Sequence, residues 1–311
     1  MYLESFTLPV EQEDRLIVDR MAKNGNTDAS LTWKYGYIDN TYPCGIFGPK
    51  AFKEIWFRKV TIFYGGNGSG KSTLLNLIAA KLELKRIAPF NSSELFDAYA
   101  NACRYTMDFD DEGFRYKVPN GSRIITSDDV FDYMLAVRTN NAEIEEEIER
   151  GKDEYKRLKY GETVKFNSME DYDALRLQLL ARSRSVSRRR FLRRTAGTEV
   201  RLASNGETAL EYFAQKLQND TLYCLDEPEN SMSPAMQLEL LQILAKKARY
   251  CGCQFIIATH SPFLLSMEGA RIYDLDASPV EIRNWWELEN TRIYYDFFAR
   301  NKKLFEEDRQ G

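Results

Sequence analysis

The stretch GGNGSGKS, residues 65–72, narrows the choice of folds more than any other part of this chain. Glycines at 65, 66, 68 and 70 let a backbone curl so tightly that several N–H groups can face one anion. The residues before it, VTIFY (60–64), are β-branched or aromatic and read as a buried strand. After it, Leu74, Leu75, Leu77 and Ile78 recur at helical spacing. Strand, glycine loop and helix is the context in which G-x-x-x-x-G-K-[ST] holds phosphate. The expected binding residues are Gly65, Gly66, Asn67, Gly68, Ser69, Gly70, Lys71, Ser72 and Thr73. The helix N-terminus adds a partial positive charge. Lys71 can reach the β- and γ-phosphates of a nucleotide, and Ser72 can place its hydroxyl on Mg²⁺.

A second element lies far downstream. Within TLYCLDEPENSMSP, residues 221–234, Leu222 to Leu225 is a short apolar run that ends in Asp226 and Glu227, and Pro228 stops the strand. A buried strand with two acids at its tip suits Mg²⁺ binding by Asp226 and water activation by Glu227. An acidic surface turn would read the same way. Just upstream, Ser204, Asn205 and Gly206 open a helix whose apolar face is Leu210, Phe213, Ala214 and Leu217. Ser204 and Gly206 can form an anion site at that N-terminus. Ser204 with Glu207 also fits an ordinary capping box, and both readings can hold together. The only histidine, His260, follows a third apolar run in IIATHSPFLLS. Residues 254–258 read as a strand beside the acid-tipped one.

These blocks occur in a particular order: GGNGSGKS, SNGE, LDEPENSMSP, ATHSPFLL and then GARIYDL. In that order they resemble the head of an ABC-type ATPase of the RecF/SMC-like branch, and most of all small bacterial AAA-family ATPases. The resemblance covers residues 55–80 and 200–276. It implies an α/β P-loop fold with an N-terminal antiparallel β part, a central mostly parallel sheet and a helical insertion. It implies ATP and Mg²⁺ as ligands, Lys71, Glu227 and His260 as catalytic residues, and Ser72 and Asp226 at the metal. His260 would sense the γ-phosphate or the attacking water. Two heads would sandwich two nucleotides, each site completed by Ser204 and Gly206 of the other, as a homodimer or higher oligomer. Relatives of this kind act in DNA repair or, with a nuclease or other effector, in phage (antiviral) defence. The alternatives are the nucleotide-binding subunit of a membrane transporter, or an ATP-switched scaffold with little turnover.

The sequence departs from that pattern in two places. Asn205 stands where glycine is usual in the signature. No glutamine marks the loop expected after the glycine-loop helix; by position RIITSDDVFDYM (123–134) is that segment, where Ser127 or Asp128 would take its place.

The expected organisation is an N-terminal lobe (1–139), a charged helical insertion (140–200) and a C-terminal lobe (201–311). The insertion lacks sustained heptads, so a compact hairpin is expected instead of a long coiled-coil arm. It carries a basic run, Arg182, Arg184, Arg188, Arg189, Arg190, Arg193 and Arg194. That run (residues 182–194) can contact a nucleic-acid backbone, pair with acids across the hairpin, or reach the nucleotide of a facing subunit. The formal net charge of −4 gives no global pull toward nucleic acid. No run of 18 apolar residues and no basic-then-apolar leader is visible, so a cytoplasmic protein without a membrane span is expected. Five cysteines without a C-x-x-C pair read as reduced thiols. The aromatic tail, with Trp285, Ile293, Tyr294, Phe297 and Phe298, is expected to pack back on the domain.

Overall fold

The computed structural model describes residues 1–23, 42–90, 92–162, 172–183 and 205–307. The chain forms two compact units: residues 1–131 with 205–311, and residues 132–204.

The larger unit is built on two sheets. In the first, β1 (Leu3–Thr7) lies between β2 (Glu54–Trp56) and β4 (Arg104–Met107), and both pairings are antiparallel. The second has six strands in the order β5 (Arg123–Thr126), β6 (Leu222–Asp226), β7 (Gln254–Ala258), β3 (Val60–Tyr64), β8 (Arg271–Asp274), β9 (Glu281–Ile282). All its pairings are parallel except β8 with β9. This is the α/β P-loop architecture, with an antiparallel part beside a mostly parallel sheet.

Every residue of β3 and β7 is buried, as befits parallel strands covered on both faces. Leu74, Leu75 and Ile78 of helix α1 (Lys71–Lys81) share one core with Phe6, Phe47, Phe63 and Ile256. Gln254 joins the two sheets. Its Oε1 accepts from the backbone of Tyr2 (2.9 Å) and Leu3 (2.8 Å), and its Nε2 donates to the carbonyls of Leu3 (2.8 Å) and Arg58 (3.1 Å). A buried amide with both ends satisfied in this way fixes the strand start instead of destabilising the core.

Two Ser-Pro pairs start helices at the carboxyl side of the sheet. Ser233 caps α2 (Pro234–Tyr250) and Ser261 caps α3 (Pro262–Leu265); in each the serine hydroxyl accepts a backbone N–H and proline occupies the first helical turn. The aromatic tail departs from expectation. Helix α4 (Glu289–Arg300) is held by its first turn, where Leu288 and Thr291 are buried and Asn290 N donates to Tyr64 Oη at 3.1 Å. Ile293, Tyr294, Phe297 and Phe298 are exposed among the described residues. Trp285 is half-buried.

In the smaller unit, the end of helix α5 (Ser127–Tyr160) packs with α6 (Tyr172–Arg182) through Tyr155, Leu158 and Ala181, with Leu177 and Leu180 against them. Arg182 donates to the carbonyls of Leu158 (3.2 Å) and Gly161 (2.7 Å). It therefore ties the two helices of this hairpin together. The rest of the basic run, Arg184 to Arg194, lies outside the described residues.

Candidate active site

Parallel strands end together, and the tips of β3, β6 and β7 form one edge. Phe63 pairs with Ala258 and Asp226 pairs with Ala258 on its other side, so the glycine loop, the acid pair and His260 all leave the sheet at one level.

The loop between β3 and α1 runs through Gly65, Gly66, Asn67, Gly68, Ser69 and Gly70. Gly68 and Gly70 take left-handed backbone angles (φ 81° and 103°), which glycine adopts without strain. A side chain at Gly70 would sit 3.0 Å from both Ile46 Cγ2 and Phe47 Cε1, so this end of the loop is pressed against the core. Asn67, Gly68 and Ser72 face solvent, while Ser69, Lys71 and Thr73 are buried. The Ser69 hydroxyl is buried with no hydrogen-bond partner among the described residues. Lys71 Nζ folds over the loop and donates to the carbonyls of Gly65 (2.7 Å) and Gly66 (3.0 Å).

At the tip of β6, Ser72 Oγ donates to Asp226 Oδ1 at 3.0 Å. This hydroxyl and carboxylate are hard oxygen donors of the kind Mg²⁺ takes alongside phosphate oxygens. Among the described residues no group of three or more His, Cys, Asp or Glu side chains is placed to hold a metal on its own. Burial pushes the Asp226 carboxyl up to about 6; the Ser72 hydrogen bond opposes this, the negative charge of Glu227 adds to it, Lys71 opposes it, and Glu229 adds again.

Glu227 adopts a left-handed backbone (φ 46°). That conformation costs a non-glycine residue on the order of 1 kcal/mol or more. It is held there by its N–H, which donates to the Ala258 carbonyl at 2.9 Å. The twist brings Glu227 Oε1 to 3.6 Å from His260 Nδ1. Both side chains are reachable from solvent, at 27% and 44% exposure. Asn230 Nδ2 donates to Glu227 Oε2 at 3.3 Å. A carboxylate beside an imidazole, next to a hydroxyl–carboxylate pair, can orient a water and handle its proton.

The helix of the expected signature begins at Asn205 and runs to Lys216 (α7). Gly206 is buried there against α2: a side chain at this position would collide with Met236 Sδ. Ser204 lies outside the described residues. The β5 tip is aligned with the acid strand, Thr126 opposite Asp226, which brings Ser127 and Asp128 to the same edge.

Sequence reasoning missed four residues around this site. Lys50 Nζ donates to the carbonyls of Ser69 (2.7 Å) and Leu275 (2.6 Å), and Asp276 Oδ2 accepts from Gly66 N at 2.7 Å, so the loop is clasped from both flanks. Arg86 stacks over Phe90 at 4.0 Å and donates to Asn76 Oδ1; burial lowers its pKa, while the charges of Asp129 and Asp226 raise it. Glu229 is buried and bonded to Thr259. Only Glu229 had a visible signal, as a further acid in DEPEN.

The family described as "AAA domain, putative AbiEii toxin, Type IV TA system" matches residues 155–266. That span includes Gly206, Asp226, Glu227 and His260, and excludes the glycine loop. An uncharacterized ABC transporter ATP-binding protein/permease of Saccharomyces cerevisiae is 24% identical over 212 residues, which is 65% of this chain but 14% of that protein. The chain therefore spans about one seventh of that relative's length. Among solved structures, the SMC head domain from Thermotoga maritima is 13% identical with a TM-score of 0.34, covering 91% of this chain and 99% of that one. An ATP-binding cassette in a dimeric post-hydrolysis state bound to ADP and Pi is 14% identical with a TM-score of 0.34, covering 75% and 88%. The fold assignment rests on this chain's own strand order and loop. No described helix is long and apolar enough to cross a membrane. Strand order, glycine loop and the paired strand tips together are those of a P-loop fold.

Proposed function

We propose that the chain binds Mg-ATP in the cradle of Gly65, Gly66, Asn67, Gly68, Ser69, Gly70, Lys71, Ser72 and Thr73, and couples its hydrolysis to a partner. The observation that carries this reading is the convergence at one sheet edge of the Ser72–Asp226 pair and the Glu227–His260 pair. Lys71 would exchange its loop carbonyls for the β- and γ-phosphates. Ser72 and Asp226 would hold Mg²⁺, which, when bound, supplies charge neutralisation on the phosphates. Glu227 orients the attacking water and accepts its proton, and His260 holds the γ-phosphate or that water in line.

Each site is completed by Ser204 and Gly206 of a second head, so ATP drives dimerisation and hydrolysis releases it. The coupled partner is a nucleic acid met through residues 182–194, or a nuclease or other effector protein, in DNA repair or phage defence, in the cytoplasm. The test is Mg-ATP turnover and sizing of the parent, Lys71→Ala and Glu227→Gln proteins. Turnover that is lost in both variants, with an ATP-dependent dimer in Glu227→Gln, supports the reading. Full turnover in Lys71→Ala sinks it.

A second reading, the nucleotide-binding part of a membrane transporter, is favoured by the similarity to the yeast ATP-binding protein/permease. Co-purification with a membrane permease from native cells would select it.

A further inference from the structure

We infer that Glu229 is a positioning residue for His260, acting through the Thr259 hydroxyl; this rests on the reading of His260 as a catalytic residue. The backbone on both sides of His260 is tied to the segment that follows the acid pair. On the near side, Thr259 N donates to the Phe63 carbonyl at 3.2 Å, which seats the residue on the strand of the glycine loop. Its hydroxyl is fully buried and has two partners. It accepts from Ser261 N at 3.0 Å and donates to Glu229 Oε1. A hydroxyl has one proton, so accepting from Ser261 leaves that proton for Glu229, and the direction of the chain is set. On the far side, Ser261 Oγ donates to Gln237 Oε1 at 2.7 Å, and Gln237 Nε2 donates to the Met232 carbonyl at 3.0 Å.

Thus residues 229–237 grip residues 259–261, and His260 is the one side chain of that turn left exposed. The Glu229 carboxyl is 5% exposed, and its Oε2 is buried with no hydrogen-bond partner among the described residues. Its pKa is raised, first by burial, with the Thr259 hydrogen bond opposing. A carboxyl seated this way carries a proton more readily than a surface acid does, so an uncharged amide can stand in for it. Glutamate is not needed there for its charge. What the turn needs is an acceptor at Oε1 for the threonine proton.

This separates Glu229 from Glu227, which lies two residues earlier in the chain and faces solvent and His260 directly. The expected result is specific. Glu229→Ala lowers kcat for ATP about tenfold or more, with KM within about twofold. Thr259→Val, which keeps the shape and removes the hydroxyl, does the same, while Glu229→Gln and Thr259→Ser recover most of the loss. The double variant Glu229→Ala/His260→Ala is no slower than His260→Ala alone, because residues that act through one another do not add.

Thermal unfolding of each variant identifies any that fails to fold, in which case the Thr259 pair carries the test. Independent, multiplying losses in the double variant overturn the proposal, as does unchanged kcat in both Glu229→Ala and Thr259→Val. If His260→Ala itself turns over at the parent rate, the catalytic reading of His260 falls and the proposal falls with it. If His260→Ala is slow and Glu229→Ala is not, only the proposal falls.

Discussion

Replacing Asp226 by asparagine should stabilise the nucleotide-free protein while ending its catalysis. Asn keeps the shape and an acceptor for the Ser72 hydroxyl, and it removes a charge that burial disfavours. The folded-state carboxyl titrates at about 6, against 3.8 for the ordinary side chain. An acid raised on folding subtracts stability. The penalty is absent below the unfolded value, grows as pH rises through the window between the two values, and is complete above the folded one. A shift of this size corresponds to about 3 kcal/mol at pH 8 and to roughly half of that at pH 5. Urea unfolding of parent and Asp226→Asn proteins at both pH values measures it. The variant should be the more stable at pH 8, and its advantage should shrink at pH 5. A variant no more stable than the parent at pH 8, or an advantage that does not depend on pH, would refute the electrostatic account of this strand tip.

Lys71→Ala removes the ammonium that bridges the loop carbonyls, and phosphate release should fall about a hundredfold or more. Glu227→Gln should slow hydrolysis by roughly 10²–10⁴ while ATP stays bound, and sizing in ATP should give a dimer; a monomer at saturating Mg-ATP rules out the two-head arrangement. Gly70→Ala forces a side chain into a left-handed position 3.0 Å from Ile46 and Phe47, and chemical denaturation should show a loss of about 1–3 kcal/mol.

Much of this site was legible because its parts are local. Residues 60–64 and 254–258 are strands with the bounds their periodicity suggested, and the acid strand runs one residue further, to Asp226 itself. A glycine loop declares its geometry within eight residues, and so does an acid pair at the end of an apolar run. The clasp on the loop does not. Lys50 acts 19 residues from Ser69 and Asp276 acts 210 residues from Gly66, and neither sits in a patterned context. Gln254 opens a strand by its local pattern, and nothing nearby marks it as the amide that fastens one sheet to the other, because that role depends on Leu3, 251 residues away. The aromatic tail misled for a different reason. Ile293, Tyr294, Tyr295, Phe297 and Phe298 fall on successive sides of one helix, and only the turn at Leu288 and Thr291 is covered. Apolar composition favours burial but does not compel it.

The strand tips also explain why nucleotide binding should be felt by the fold as well as by the reacting atoms. Asp226, Glu227 and Glu229 crowd into four residues, and Asp226 and Glu229 are both held above the ordinary carboxylate range by burial. The nearest cation of the glycine loop, Lys71, is turned toward the carbonyls of Gly65 and Gly66, leaving Ser72 as the hydrogen-bonding partner of Asp226. Such a cluster is costly while its acids stand alone, and a divalent ion with its phosphates would relieve it by favouring the ionised Asp226. Any ligand that binds only the folded state adds to its stability. Here the gain would enter at the tip of β6. Glu227 N is bonded to the last residue of β7, and Glu229 to the residue just beyond it. A change in charge at Asp226 is therefore one backbone bond and one side-chain bond from the turn that carries His260, which is a short enough path for the state of the nucleotide to set the position of the histidine.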